Sequence, residues 1–161
     1  MSYQTLVDIL ESNRTVDRAI TYVLGENEER RVSYADVHTR ALGILYHLQA
    51  IGAQRGDKMI IFLSNNEQFM DGYWAGVCGG IVPVPIAVGI SDEHRHKLLR
   101  VAAKLGDPLL YTDRKSLERI AALAQESGQQ ALFDRLKART FLADSITDIS
   151  RAYESGDIAP A

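Results

Sequence analysis

The chain has 161 residues, of which 46% are hydrophobic and 24% charged, and its formal net charge is -3 at pH 7. That composition excludes a disordered segment, and 12 Gly, 4 Pro and 1 Cys exclude collagen-like and disulfide-rich classes. The slight acidity leaves no electrostatic footprint for nucleic acid, and the length suits one domain around one core.

Residues 3–12 set Leu6, Val7, Ile9 and Leu10 among polar neighbours, the pattern of a short amphipathic helix. The same stretch lacks a basic start before an apolar core, so it does not read as a signal peptide. No run approaches the roughly 18 apolar residues of a membrane span. With Cys78 as the single cysteine, no internal disulfide is expected and a reducing, cytoplasmic setting is the simplest reading. Ala19 to Leu24 is β-branched and aromatic and predicts a strand. Gly25 to Glu28 is a turn signal, and Arg31-Val32 returns as a second short strand, giving a hairpin.

Ser33-Tyr34-Ala35-Asp36 is a variant capping box with Asp in place of Glu. Val37, Ala41, Ile44, Leu45, Leu48 and Ile51 follow at helical spacing, and Gly52 sits where a helix-ending glycine belongs. Lys58 to Ser64 holds a continuous apolar run, typical of a strand buried on both faces. Asn65 or Asn66 caps a helix to about Gly79, which carries Gly72, Gly76, Gly79 and Gly80. Each helix-interior glycine costs roughly 1 kcal/mol relative to alanine, so their use suggests close packing against a neighbouring backbone. Ile81 to Ala87 is a strand whose Pro83 and Pro85 direct both missing N–H groups to one side, so it ladders fully on the other side only. Ser91 is expected to cap a helix over 92–105, followed by a strand at 109–112, helices capped by Asp113 and around Phe133, a strand at 140–143 and a weak helix over 145–153. This alternation predicts βαβ units and a largely parallel sheet with helices on its faces.

Chemistry is harder to find. The chain has no G-x-G-x-x-G after a strand and no G-x-x-x-x-G-K-[ST]. Gly76 to Gly80 lies late in a helix, where packing is the better reading. His94 and His96 stand two apart on a helix and face different ways, unlike metal pairs spaced by three or four, and read as a solvated helix start. His38 and His47 have no ligand partner at useful spacing. Cys78, among Trp74, Val77 and Ile81, reads as a buried apolar residue rather than a nucleophile. Glu28 and Glu29 read as solvated turn residues, and Arg30, Arg31, Arg95 and Arg100 as scattered charges. No catalytic, cofactor-binding or metal residue is assigned.

Three stretches nonetheless resemble the N-terminal part of the adenylate-forming superfamily, which includes acyl-AMP and acyl-CoA ligases and peptide-synthetase adenylation domains. They are Arg31 to Val37, where the hairpin enters the long helix; Ala50 to Ile61, with its Gly56-Asp57 turn; and Trp74 to Pro85, where a glycine-bearing helix end leads into a proline-bearing strand. Their order and spacing agree with the family, and the pattern is closest to fatty acyl-AMP ligases. Many of those ligases follow the strand with a proline-rich stretch, where this chain continues Ala87-Val88-Gly89-Ile90-Ser91.

The resemblance implies that residues 1–161 are an N-terminal subdomain fragment of an AMP-binding ligase domain. The parent enzyme would use ATP and Mg²⁺ to activate a carboxylic acid, a fatty acid by the closer resemblance, as acyl-AMP. The acyl group would then pass to the thiol of a carrier protein or coenzyme A. The fragment would bind no cofactor itself and would supply scaffold, with the remainder of the ligase as its partner. The family's Ser/Thr/Gly-rich phosphate loop would follow shortly after Gly156-Asp157-Ile158-Ala159-Pro160-Ala161. The competing readings are a standalone flavodoxin-like nucleotide-binding module and an amino-acid adenylation domain of a peptide synthetase.

Overall fold

A computed structural model describes residues 4–145 and 157–159. Helix α1, Leu6–Asn13, opens on Thr5, whose hydroxyl accepts from the Asp8 amide at 3.1 Å while the Asp8 carboxylate accepts from the Thr5 amide at 2.9 Å. This reciprocal cap starts the helix. Strands β1, Ala19–Val23, and β2, Glu29–Ser33, form the expected antiparallel hairpin, with Ile20 opposite Val32 and Tyr22 opposite Arg30. Tyr22 and Val32 are the buried side chains that seat it on the core.

Helix α2 runs over Tyr34–Ala50. Ser33 caps it by accepting from the Asp36 amide at 3.0 Å, and its hydroxyl donates to the Asp36 carboxylate at 2.7 Å. The chain turns out of the helix at Gly52, whose φ of 90° suits a residue without Cβ. Strand β3, Lys58–Phe62, leads to helix α3, Asn66–Cys78, capped by the Asn65 carboxamide oxygen on the Gln68 amide at 3.0 Å. Strand β4, Val82–Pro85, helix α4, Asp92–Leu105, strand β5, Leu109–Thr112, helices α5, Arg114–Glu126, and α6, Gln130–Ala138, and strand β6, Thr140–Leu142, complete the order. Asp113 caps α5 through the Ser116 amide at 2.7 Å. Ser91 occupies the cap position of α4 but makes no side-chain cap bond, contrary to the expectation from its residue type. Ala143–Ser145 forms a single 3-10 turn; residues 146–153 of the expected last helix lie outside the described residues.

The four long-range strands form one parallel sheet in the order β4-β3-β5-β6. β4 is an edge, as its prolines require. Val82 N–H donates to the Asp57 carbonyl at 2.8 Å and Ile86 N–H to the Ile61 carbonyl at 3.0 Å, so Pro83 and Pro85 turn their missing donors outward. Alternation along β3 divides the core in two. Met59 and Ile61 face α2 and α3, while Ile60 and Phe62 face α4, α5 and α6. The sheet is thus covered on both faces.

Arg139 ties the amino ends of the strands together. Its guanidinium reaches the Asp57 carboxylate at 2.6 Å and the Asp107 carboxylate at 2.9 Å, just ahead of β3 and β5. Burial opposes its charge, but these two carboxylates more than offset that and hold its pKa up. The Gly56-Asp57 pair is therefore a structural turn: Gly56 has a φ of 90°, and Asp57 also accepts from the Gln54 amide at 3.0 Å.

Candidate functional site

The order β4-β3-β5-β6 reverses direction between β3 and β5, so the carboxyl ends of these strands mark a topological switch point, where open α/β sheets place ligands. The hairpin lies over this edge. Between them is a cleft of about 480 Å³ lined by Thr21 to Leu24 and Ser64 to Glu67. The polar groups at the edge are largely committed to the fold. Asn65 and Asp113 cap helices, and the Thr112 hydroxyl donates to the Phe62 carbonyl at 2.7 Å.

Beneath the cleft lies a buried polar knot. Glu67 and Asp71 stand four apart on one face of α3 and both meet Arg40 of α2. The Arg40 guanidinium donates to Glu67 and lies 3.6 Å from Asp71. Arg30 of the hairpin joins at 3.4 Å from Glu67, with most of its side chain in solvent. Asp71 is 3% exposed, and burial pushes its pKa up to about 6 against the opposing pull of Arg40. The Tyr22 and Tyr111 hydroxyls are buried in the same region, with no hydrogen-bond partner among the described residues. Burial raises Tyr22 to about 12 and Tyr111 higher still, helped by the charge of Asp71. Neither tyrosine ionises near neutral pH. The knot joins hairpin, α2 and α3, and its arrangement is that of a structural tie.

Asp71 is expected to make stability depend on pH. Its folded pKa lies above the ordinary Asp value near 3.9, so between about pH 4 and pH 6 the folded state binds more protons than the unfolded chain. Stability is then expected to fall as pH rises through that window, by on the order of 2 kcal/mol. Asp71→Asn is expected to remove the slope and to be the more stable form at pH 7. Urea unfolding of both proteins at pH 4.5 and pH 7 reads this directly; an unchanged slope in the variant assigns the pH dependence elsewhere.

The remaining sequence candidates fall into structural roles. Cys78 is fully buried, and its thiol is pushed up to about 11, mainly by burial, which suppresses the reactive thiolate. A Cβ on Gly76 would lie 3.3 Å from the Ile81 carbonyl and from the Met59 methyl, and one on Gly79 would meet Leu45. The glycine-rich end of α3 is a packing surface. His38 is buried under α1, and burial lowers its pKa, with the charge of Arg14 adding to the effect. His47 stacks on Phe141 at 5.3 Å between ring centroids.

The start of α4 is less solvated than its composition suggested. His94 packs on Gly89, and Arg95 is buried in an ion pair with Asp92 at 2.5 Å. Glu28 and Glu29 are exposed as expected, whereas Arg30 is recruited to the knot. Sequence reasoning missed Arg40, Glu67 and Asp71; the i,i+4 acid pair on a predicted helix was the available signal.

No three His, Cys, Asp or Glu side chains converge to hold a metal ion among the described residues, nor is any helix there long and apolar enough to cross a membrane. No such cluster is therefore on hand among the described residues to hold Mg²⁺ by protein side chains alone.

Helix order, hairpin and sheet topology together are those of the N-terminal part of an adenylate-forming enzyme. The chain is similar over 100% of its length to the adenylation domain of a keto acid-selecting NRPS module bound to keto acyl adenylate, at 25% identity and a TM-score of 0.83. It is similar over 99% of its length to McyG A-PCP complexed with phenylalanyl-adenylate, at 27% identity and a TM-score of 0.80. The fatty acid AMP ligase from Legionella pneumophila shares the fold over 98% of the chain, at 16% identity and a TM-score of 0.73. The chain spans only 29%, 24% and 26% of these three proteins. No family model matches it.

Proposed function

We propose that this chain is the N-terminal scaffold of an ATP-dependent ligase that converts a carboxylic acid, a fatty acid by the motif pattern, to an acyl-adenylate. The adenylate then passes its acyl group to a carrier-protein or coenzyme A thiol. The observation carrying this reading is the similarity of the whole chain, at a TM-score of 0.83, to just over a quarter of an acyl-adenylate-bound domain. In-line attack of a carboxylate on a nucleotide phosphate depends on positioning and on neutralising phosphate charge. The sequence carries neither G-x-G-x-x-G nor G-x-x-x-x-G-K-[ST], and no three His, Cys, Asp or Glu side chains converge among the described residues. Their part is to hold the sheet on which such groups are mounted in the complete enzyme.

The purified 161-residue chain is accordingly expected to release no pyrophosphate from ATP with any of a range of fatty, amino or keto acids. Release above the acid-free blank overturns its role as scaffold alone. The complete enzyme, given the same panel, is expected to release pyrophosphate with its cognate acid.

The sheet order favours a second reading, since β4-β3-β5-β6 is the beginning of a flavodoxin-like order. A self-standing nucleotide- or flavin-binding module would show saturable binding by the isolated chain. Capping by Asn65 and Asp113 argues against it, because the side chains best placed at the switch point are already engaged.

A further inference from the structure

We infer that Gln49 is a positioning residue that, with the Cys78 carbonyl, fixes the chain at residues 157–159 and so sets the path of the segment that follows. Under the function proposed above, on which this step rests, that segment is the phosphate loop.

Gln49 lies in the last turn of α2. Its carboxamide takes both backbone groups of one distant residue: Nε2 donates to the Asp157 carbonyl at 2.8 Å, and Oε1 accepts from the Asp157 amide at 2.9 Å. A neighbouring strand would ordinarily supply such a pair of bonds. Two residues on, the Ala159 amide donates to the Cys78 carbonyl at 2.8 Å, at the end of α3. Between these bonds, Ile158 packs against the core on the α2–α3 face. Ala159 rests beside Gly80, whose φ of 63° suits a residue without Cβ.

Three consecutive residues are thus held by three hydrogen bonds and an apolar plug. Both helix ends that hold them belong to the α2–α3 layer packed on the sheet. The carboxamide is the necessary chemistry: it presents a donor and an acceptor in one plane, which a carboxylate cannot. Gln49 is half-buried at the amino edge of the sheet, opposite the cleft, so it acts through the course of the chain rather than by touching substrate.

Hydrogen exchange at the Asp157 and Ala159 amides of the 161-residue chain tests the anchor. Gln49→Ala is expected to reduce protection at both at least tenfold. Gln49→Glu keeps only the acceptor and is expected to fall between Gln49→Ala and the parent. In the complete enzyme, Gln49→Ala is expected to raise KM for ATP at least fivefold while KM for the acid changes less than twofold, a split that general loosening would not produce. Parent amides exchanging at the unstructured rate overturn the anchor, whatever the enzyme does. Lost protection with an unchanged KM for ATP overturns the positioning role. A complete enzyme that makes no adenylate while the amides stay protected overturns the functional reading and the positioning role with it. The intact protection tells that failure from loss of the anchor. Should Gln49→Ala fail to fold, Gln49→Glu carries the same comparisons.

Discussion

Arg40→Met is expected to lower the unfolding free energy at pH 7 by about 3 kcal/mol, seen as a fall in the urea midpoint at constant slope. The substitution keeps most of the stem and removes the cation that faces both carboxylates of α3. Side-chain exposure is 14% for Arg40, 14% for Glu67 and 4% for Asp71, so solvent does little to replace it. Breaking a buried pair from one side costs roughly 3–5 kcal/mol because the charge left behind has no partner. The lower end applies here: Asp71 can escape by binding a proton, and Arg30 still reaches Glu67 at 3.4 Å. Burial opposes the charge of Arg40, yet the bond to Glu67 and the two acidic neighbours hold its pKa up. Combining Arg40→Met with Asp71→Asn removes the stranded charge and is expected to recover a large part of the loss. A double-mutant cycle then gives a coupling of about 1–2 kcal/mol. A cost below about 1 kcal/mol for Arg40→Met would place the knot with ordinary surface ion pairs, and the tie between hairpin and helices would have to be sought elsewhere.

Gly72→Val is expected to destabilise by about 3 kcal/mol, although intrinsic helix propensity alone predicts a gain of several tenths. A Cβ at this position would fall on the ring of Tyr111. That ring is fully buried at the centre of the sheet and stacked on Phe141 at 5.9 Å between centroids, so it has little room to withdraw. Overpacking a rigid contact typically costs 1–3 kcal/mol, and a β-branched side chain reaches the upper end. Adding Tyr111→Leu opens space and is expected to restore part of the stability. Gly25→Ala is the control. It sits in the hairpin turn, where the nearest contact to a new Cβ is 3.9 Å away, and its effect is expected within about 0.5 kcal/mol. Wild-type stability for Gly72→Val would mean that α3 does not lie this close to β5.

Much of the scaffold is legible in the sequence. The helix over Tyr34–Ala50 is signalled by Ser33, by its apolar spacing and by Gly52, because capping and amphipathicity are local demands met by neighbouring residues. β4 is legible as an edge because proline has no donor, wherever the strand lies. The cap at Ser91 is not realised, because a favourable residue type does not ensure that the hydroxyl turns inward. The solvated start expected for α4 is only partly found. Arg95 is buried while paired with the exposed Asp92, which charge counting along the chain does not foresee.

The motifs around Val32, Gly56 and Gly79 point to an adenylate-forming scaffold because their roles are local: a cap, a turn and a helix end. The knot is of another kind. Arg40 and Glu67 lie 27 positions apart, and nothing in either segment requires the other. Gln49 and Asp157 are separated by 108 positions, with no local pattern to pair them. Composition therefore determined that this is a folded globular chain, and local spacing determined its elements, their order and with them the α/β class. Which charges meet in the core, which glycine lies on which ring, and where residues 157–159 are tied were decided only by tertiary structure. The physical reason is range: capping, turns and periodicity act over a few residues, whereas burial and ion pairing depend on which surfaces the folded sheet brings together.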